Sequence, residues 1–287
     1  MRFVLVHCGP IPPSYIQDCI DQIHLTNPTG EVVLLVDRPC SVSFNNVSII
    51  QSPKTVLHSI FNERCSLDMT FRDGFWYYCL ERFVVLYDYV MSSTINEPFI
   101  HIEYDNLIYQ DMDHYLPIFK SLNIHLGGVL DSPHRVIPGF VYFDGPDTVS
   151  HLAHFIVNNL HMQYNDMQML HLYYAKHPEI FTALPLCQPK HLLPDDQNIY
   201  CKNIDVFECI FDGASIGQFL CGIDGRNSGN KDTIGFINET CIFKPDKTKI
   251  EWKKTPLFTP YVDDLPIVNL HVHSKNLSRW RSDRSSM

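Results

Sequence analysis

The sequence predicts an α/β fold in which helices flank a central sheet. FVLVH (residues 3–7) has the composition of a short buried strand, residues 14–24 have the apolar spacing of a helix, and EVVLLVD (31–37) is a second strand. This order favours parallel pairing of the two strands, because a helix provides the crossover that parallel neighbours need. Helical spacing returns in residues 75–91, as expected of a helix that packs on a sheet.

Polar residues end both predicted strands. His7 closes the first strand and Asp37 follows the second. Ligands of open α/β sheets bind beyond the carboxyl ends of the strands, so both side chains are expected near a bound nucleotide. Neither strand is followed by a GxGxxG or Walker pattern, which disfavours the usual dinucleotide and nucleoside triphosphate folds.

The predicted helix over residues 75–91 carries a charged side chain beside its apolar stripe. The stripe consists of Phe75, Cys79, Phe83, Leu86 and Val90. Arg82 lies next to it, and two interpretations stay open: a partly buried ion-pair partner or a contact to a ligand. Glu81 is expected at the surface.

Two carboxylates stand where the strand FIHIEYD (99–105) loses its apolar alternation. Side chains alternate along a strand, so Glu103 and Asp105 leave on one face with Cα atoms about 6 to 7 Å apart. Such a pair can share Mg²⁺ or Mn²⁺, hard ions that also take phosphate oxygens. The alternative is a polar strand end without function.

A second polar pattern occurs near the C-terminus, in LHVHSK (270–275). Strand alternation sends His271 and His273 to one face, and Lys275 follows on the same side. An imidazole and an ammonium group can then converge on a diphosphate. An H-x-H pattern alone is more often structural, so its significance depends on the acid pair.

The segments FW, ERF and HIEYDNLIY resemble nucleotide-sugar-dependent glycosyltransferases of the GT-A fold. The resemblance extends over roughly residues 1–280 and implies one Rossmann-like domain with a mixed central sheet. It also implies a D-x-D-type motif, with Glu103 in place of the first Asp, that holds Mn²⁺ or Mg²⁺. In this family a late His joins the metal and a nearby Lys contacts the leaving phosphates, which assigns these roles to His271 or His273 and to Lys275.

The same resemblance suggests roles for two further segments. Asp166 opens a predicted helix at YNDMQMLHLYY (164–174), where an acid would serve as N-cap or dipole partner. The family resemblance instead places it in the acceptor site as base or transition-state stabiliser. The family's D-G-x-x-x-G-Q run next to the sugar is similar to Asp212, Gly213 and Gln218, although these glycines equally indicate turns.

One domain is predicted for residues 1–287. Residues 1–109 form its nucleotide-binding half, 110–280 its acceptor half and 281–287 a loosely ordered tail. Residues 240–255 are expected to form a hairpin that turns at KPDK (244–247).

Composition narrows the class of function. The formal net charge is −10, which disfavours a protein that follows nucleic-acid phosphates. The ten cysteines form no CxxC pair and lie mostly in apolar segments, as is typical of reduced thiols. Together with the lack of an apolar run of about 20 residues and of a secretory signal, this predicts a soluble cytoplasmic protein.

The predicted function is hexosyl transfer from a nucleotide-diphosphate sugar, expected to be a UDP-sugar, to a glycan or another hydroxyl acceptor. Two alternatives belong to other classes. A metal-dependent hydrolase could use the same residues, but barrel hydrolases place H-x-H on the first strand, whereas only fourteen residues follow His273 here. A non-catalytic sugar-binding protein is the other, and Glu103 in place of Asp keeps it open.

Overall fold

The computed structural model describes residues 1–229, 231–254 and 256–284. Its strands are β1 (Arg2–His7), β2 (Glu31–Val36), β3 (Ser48–Gln51), β4 (Phe99–Ile102), β5 (Asn106–Ile108), β6 (Leu126–Ser132), β7 (Arg135–Phe143), β8 (Phe181–Ala183), β9 (Ile250–Lys254), β10 (Phe258–Val262), β11 (Leu265–Pro266) and β12 (Asn269–His271). Its α-helices are α1 (Ile16–Thr26), α2 (Val56–Arg64), α3 (Phe75–Ser92), α4 (Met112–Ser121), α5 (Pro146–Asn158), α6 (Asp166–Lys176), α7 (Pro194–Tyr200), α8 (Ile204–Phe207), α9 (Ser215–Cys221) and α10 (Gly225–Ser228).

A seven-stranded mixed sheet organises the chain, in the order β3-β2-β1-β4-β7-β6-β8. Strands β3, β2, β1 and β4 are parallel, β7 is antiparallel to both β4 and β6, and β8 is parallel to β6. The predicted α/β class with a mixed sheet and flanking helices is therefore confirmed. The division into a nucleotide half and an acceptor half stays a prediction.

Strand β1 lies inside the sheet, between β2 and β4, and its sequence explains why. Residues 3–7 are all buried, as are residues 32–36 of β2, and interior parallel strands are covered on both faces. The predicted parallel pairing is confirmed by the register, in which Leu5 faces Leu34. His7 and Asp37 consequently lie at the same edge of the sheet.

Helix α3 follows the predicted apolar spacing and packs on β1 and β2, with α2 and α5 as neighbours. Residues 80–86 and 88–90 of this helix are buried, and they include Arg82 and Asp88. Glu81 is buried as well, which differs from the expected surface position. The reason is tertiary: α2 places His58 against it, with 2.9 Å between His58 Nε2 and Glu81 Oε1.

The C-terminal part of the chain returns to the first half. Strand β12 pairs antiparallel with β5, and Ser282 donates from its backbone N–H to Gln22 Oε1 of α1 over 2.8 Å. Ser282 is buried, so this part of the expected tail is packed; residues 285–287 lie outside the described residues. The hairpin also differs from the prediction: KPDK contributes a 3₁₀ turn, and β9 pairs with β10 instead.

All ten cysteines are free thiols, and six of them are buried. Cys187 and Cys201 come closest to one another, with their sulfurs 4.0 Å apart. In the described part of the chain no helix has the length and apolar character required to cross a membrane.

Candidate active site

The paired acids leave the sheet at the carboxyl end of β4. The backbone N–H of Glu103 still donates to Gly139 of β7 over 3.1 Å, and the N–H of Asn106 then closes a turn on the Glu103 carbonyl over 2.9 Å. This turn separates β4 from β5 and places the carboxylates of Glu103 and Asp105 near one another. Asp105 is buried, whereas Glu103 keeps partial exposure.

His271 reaches these acids because β12 pairs with β5. The register sets His271 opposite Asn106, and the N–H of Val272 donates to the Asp105 carbonyl over 2.7 Å. The imidazole Nε2 lies 3.3 Å from Asp105 Oδ2 and 3.4 Å from Glu103 Oε2. The other ring nitrogen, Nδ1, lies 3.0 Å from the carbonyl oxygen of Gly213.

Glu103, Asp105 and His271 fit a divalent cation, and we call them the candidate metal site. Each offers one ligand atom, and the three atoms lie within 4.8 Å of one another. Adjacent ligands of an octahedral ion at about 2.1 Å are separated by about 3.0 Å, close to the separations around His271 Nε2. When the His271 ring is neutral, Nδ1–H donation to Gly213 leaves the Nε2 lone pair free, the usual arrangement of a metal-bound histidine.

Arg82 of α3 binds two acids from different elements. Its guanidinium forms ion pairs with Glu103 Oε1 and Asp166 Oδ2, and its Nε donates to the Cys79 carbonyl over 2.7 Å. Both acid contacts are short and mostly buried, so Arg82 is held in one orientation. Because Arg82 uses Oε1 of Glu103, Oε2 still faces His271.

Lys275 brings a second cation to the site. Its Nζ contacts Asp105 Oδ2, the same oxygen that faces His271. The backbone of Lys275 has a φ of 63°, in the left-handed region that lysine rarely adopts. The turn after β12 thereby directs the ammonium group back over the acids.

The charges of the cluster favour one further positive charge. Among the described residues, the permanent cations that pair with Glu103, Asp105 and Asp166 are Arg82 and Lys275. Burial lowers the pKa of His271, but the carboxylates of Asp105 and Glu103 outweigh burial and raise this pKa to about 9. Burial also opposes ionisation of Asp105, yet Lys275 and His271 hold its pKa well below the usual range. A cation is therefore stabilised at this position.

Asp212 holds the backbone of His271 in place. Its fully buried carboxylate accepts backbone N–H groups from Ile216 at 3.1 Å, Gly217 at 2.8 Å and His271 at 3.1 Å. Burial nevertheless raises the pKa of Asp212 to about 6. This carboxylate holds the loop before α9 against β12, and the adjacent Gly213 provides the carbonyl that binds His271 Nδ1.

Asp166 begins α6 but is not its cap. Asn165 is the N-cap and forms a capping box with Gln168. The Asp166 carboxylate turns inward to Arg82 instead, and its Oδ1 is buried without a hydrogen-bond partner among the described residues. Burial raises the pKa of Asp166, although Arg82 opposes this.

The remaining predicted residues lie around this cluster at different distances. His273 stacks on His271 with ring centroids 4.0 Å apart but is not one of the three grouped ligands. His7 joins the site through Tyr104, whose hydroxyl lies 3.3 Å from His7 Nδ1. Asp37 accepts the N–H of Gly9 over 3.1 Å, and Gln218 binds Asn238, so neither touches the metal candidates.

Two asparagines that sequence reasoning did not select connect the strands beneath the site. Asn269 Nδ2 donates to Asn106 Oδ1 and to the Asp212 carbonyl, each over 2.9 Å. Both side chains are fully buried. Their signal in the sequence is a polar residue inside an apolar strand, as in IVNLH (267–271).

No family model matches the sequence, and no curated protein does. Among solved structures, apo xyloside xylosyltransferase 1 from mouse has a TM-score of 0.44 at 11% identity, over 70% of this chain and 94% of that one. PaToxG glycosyltransferase has a TM-score of 0.42 at 11% identity, over 62% of this chain and 69% of that one. The galactosyltransferase LgtC, in complex with donor and acceptor sugar analogues, has a TM-score of 0.41 at 11% identity. The match covers 63% of this chain and 73% of LgtC.

All three neighbours are glycosyltransferases. At 11% identity and TM-scores below 0.5, they assign no role to a residue of this chain. Its function therefore has to be inferred from its own side chains.

Proposed function

We propose that this protein transfers a hexosyl group from a nucleoside-diphosphate sugar to a hydroxyl acceptor, with Mn²⁺ or Mg²⁺ bound at the candidate metal site. The observation that carries the proposal is the convergence of Glu103, Asp105 and His271, with ligand atoms within 4.8 Å, at the carboxyl edge of the sheet. A divalent ion held there would supply positive charge to the diphosphate that leaves the sugar.

Arg82 and Lys275 support this substrate class over a neutral one. Both are cations in contact with the metal candidates, and their positive charges would stabilise the charge that builds on the leaving phosphates. A hydrolase acting on a neutral ester or amide gains less from two such cations. The site thereby provides an acidic protein with a local means of binding an anionic donor.

Asp166 is proposed as the acid on the acceptor side. Its Oδ2 is bound by Arg82, and its buried Oδ1 has no hydrogen-bond partner among the described residues, so an acceptor hydroxyl that reached it would satisfy it. Burial raises the pKa of Asp166, so its carboxylate takes up a proton more readily than an exposed one. Gly213 is proposed to position His271 through its carbonyl oxygen. We expect the acceptor to be a glycan.

The test is Asp105→Ala. Removal of this carboxylate takes away one metal ligand and the partner of Lys275, so we expect loss of Mn²⁺-dependent binding of nucleoside diphosphates, measured by calorimetry. A thermal-shift panel of nucleotide sugars with and without Mn²⁺ identifies the donor, because a ligand of the native state raises the melting temperature.

The matched control is Asp246→Ala, since Asp246 is an exposed acid remote in sequence from the metal candidates. It should bind Mn²⁺ and nucleotide as the unaltered protein does. Unchanged nucleotide affinity in a folded Asp105→Ala variant would refute the metal assignment.

A further inference from the structure

We propose that Glu81 selects the nucleobase of the donor, by accepting a hydrogen bond from the ring imide N–H that uracil and guanine carry. This inference rests on the proposed function and specifies its substrate. It starts from one atom: Glu81 Oε2 is buried and has no hydrogen-bond partner among the described residues. Burial of an unpaired carboxylate oxygen is costly, so a bound donor would be stabilising there.

The other carboxylate oxygen of Glu81 is fixed by a buried chain of polar groups. Glu81 Oε1 lies 2.9 Å from His58 Nε2, and His58 Nδ1 lies 2.5 Å from Asp88 Oδ2. Asp88 in turn accepts the hydroxyls of Ser52 and Thr55, each over 2.6 Å. Glu81 is thus held as an acceptor of defined orientation, and a preorganised acceptor discriminates best between ligands.

Glu81 lines an open cavity of about 400 Å³ whose other walls suit a planar ring. Tyr77 and Tyr78 contribute two aromatic rings at 86° to one another, and Asp37 and Lys54 lie at the ends of the neighbouring strands. Aromatic side chains are common walls of base-binding sites because every base offers a π face. The cavity therefore fits a nucleobase better than a sugar.

The cavity adjoins the candidate metal site. Arg82, the next residue of α3 after Glu81, binds Glu103. A methyl group added to Gly9 would be 3.9 Å from His7 Nε2 and 4.0 Å from the ring of Tyr78. His7 Nδ1 contacts Tyr104, which stands between the two metal-ligating acids. A diphosphate at the metal would accordingly have its nucleoside directed toward the tyrosines.

The hydrogen-bonding groups of each nucleobase then determine which base Glu81 would prefer. Uracil carries a hydrogen on N3 and guanine on N1, and both can donate to a carboxylate. Cytosine and adenine present a lone pair at the corresponding ring nitrogen, which a carboxylate repels. Glu81 is thereby expected to favour uridine or guanosine diphosphates and to disfavour the diphosphates of cytidine and adenosine.

The experiment compares UDP, GDP, CDP and ADP by calorimetry with Mn²⁺ present. We expect UDP or GDP to bind at least about tenfold more tightly than CDP and ADP. In Glu81→Gln the side-chain amide can donate instead, and the preference should narrow to roughly threefold or less. Glu63→Gln, at an exposed position of α2, is the control and should keep the full preference.

The outcomes separate the two proposals. Equal binding of all four diphosphates overturns the role of Glu81 and leaves the transferase proposal standing. An unchanged preference in folded Glu81→Gln likewise overturns that role. Failure of every diphosphate to bind with Mn²⁺ overturns the proposed function and, with it, this inference. If Glu81→Gln does not fold, the relative affinities of the four diphosphates for the unaltered protein still test the role of Glu81.

Discussion

Arg82 is the residue that links the metal side of the candidate site to the acceptor side. It binds Glu103, which follows β4, and Asp166, which begins α6, although these acids lie far apart in the sequence. A buried guanidinium needs such partners, because an unpaired buried charge is strongly destabilising. Arg82 therefore serves as the ion-pair partner that one interpretation of the sequence described, and a role toward the donor stays a proposal.

The two C-terminal histidines are predicted to contribute unequally. His271 Nε2 lies within 3.4 Å of both acids, whereas His273 only stacks on the His271 ring. His271→Ala should consequently weaken Mn²⁺ binding by about tenfold or more, since a lost ligand or its support typically costs that much, and His273→Ala should weaken it less. Calorimetric titration with Mn²⁺ measures both, with the exposed His161→Ala as control. Equal losses of Mn²⁺ affinity would contradict the unequal roles, and no loss from either change would show that the pair is structural.

Asp166 and its neighbour allow a matched test of catalysis against capping. Asp166→Asn keeps the shape and still accepts from Arg82, but it cannot take up a proton. We expect a nearly unchanged melting temperature and donor binding, and a loss of sugar transfer of roughly 10² or more.

The companion variant is Asn165→Ala, which removes the actual N-cap of α6. It should reduce stability by about 0.5 to 2 kcal/mol and leave turnover per folded molecule nearly unchanged. Transfer assays and thermal unfolding on both variants distinguish the roles. Near-normal transfer by Asp166→Asn would leave the catalytic base unassigned.

At the scale of elements, α2 and α3 are joined by His58 between two carboxylates. Burial lowers the pKa of His58, but hydrogen bonds to Asp88 and Glu81 outweigh it and raise this pKa to about 9. A histidine whose pKa rises on folding stabilises the protein fully below its unfolded pKa of about 6.5 and loses this contribution as pH rises through 9. The contribution of His58 is thus present at pH 6 and largely lost at pH 10.

Melting temperatures measured from pH 6 to 10 should therefore fall more steeply for the unaltered protein than for His58→Gln, which has no titrating group there. The exposed His161→Gln should follow the unaltered protein. Parallel curves for all three proteins would contradict a charged His58.

Helix α9 fixes the position of β12 by close approach. A Cβ on Gly217 would clash with the carbonyl oxygen of His271 and lie 2.8 Å from Asp212 Oδ2. Gly217→Ala should therefore cost about 1 to 3 kcal/mol of unfolding free energy, as overpacking does, and weaken Mn²⁺ binding by moving His271. Gly145→Ala is the control, because its nearest neighbour would be 3.8 Å away. Denaturant unfolding and Mn²⁺ titration give both readouts; a stable variant with unchanged affinity would refute this constraint.

At the scale of the whole molecule, the chain closes on itself around the carboxyl edge of the sheet. Strand β12 returns to β5, and the segment after it reaches α1, where Ser282 and Gln22 exchange two hydrogen bonds of 2.8 Å. The candidate metal site depends on this return, since two of its ligands precede β5 and the third ends β12. A protein of net charge −10 thereby gathers cations at one edge of its sheet.

Elements with a local periodicity could be predicted from the order of the amino acids. Apolar runs specify β1 and β2, and three- and four-residue spacing specifies α3, because a strand or helix must bury one continuous surface. The acid pair was also recognised from the sequence, but β4 ends at Ile102, and a turn rather than strand alternation brings Glu103 and Asp105 together. The capping role of Asn165 is also local. The sequence nevertheless suggests Asp166, the neighbouring acid, as the N-cap of this helix.

Contacts between groups that are distant in the sequence depend on tertiary packing. His271 faces the acids because β12 pairs with β5 in one register, and a sequence contains no direct signal of that pairing. Glu81 is buried for the same reason, since its burial depends on His58 of another helix rather than on its own helical spacing. Long-range pairing also decides that Lys275, rather than any other cation of the C-terminal segment, lies on Asp105. Local periodicity specifies surfaces, whereas the packing of those surfaces specifies the site.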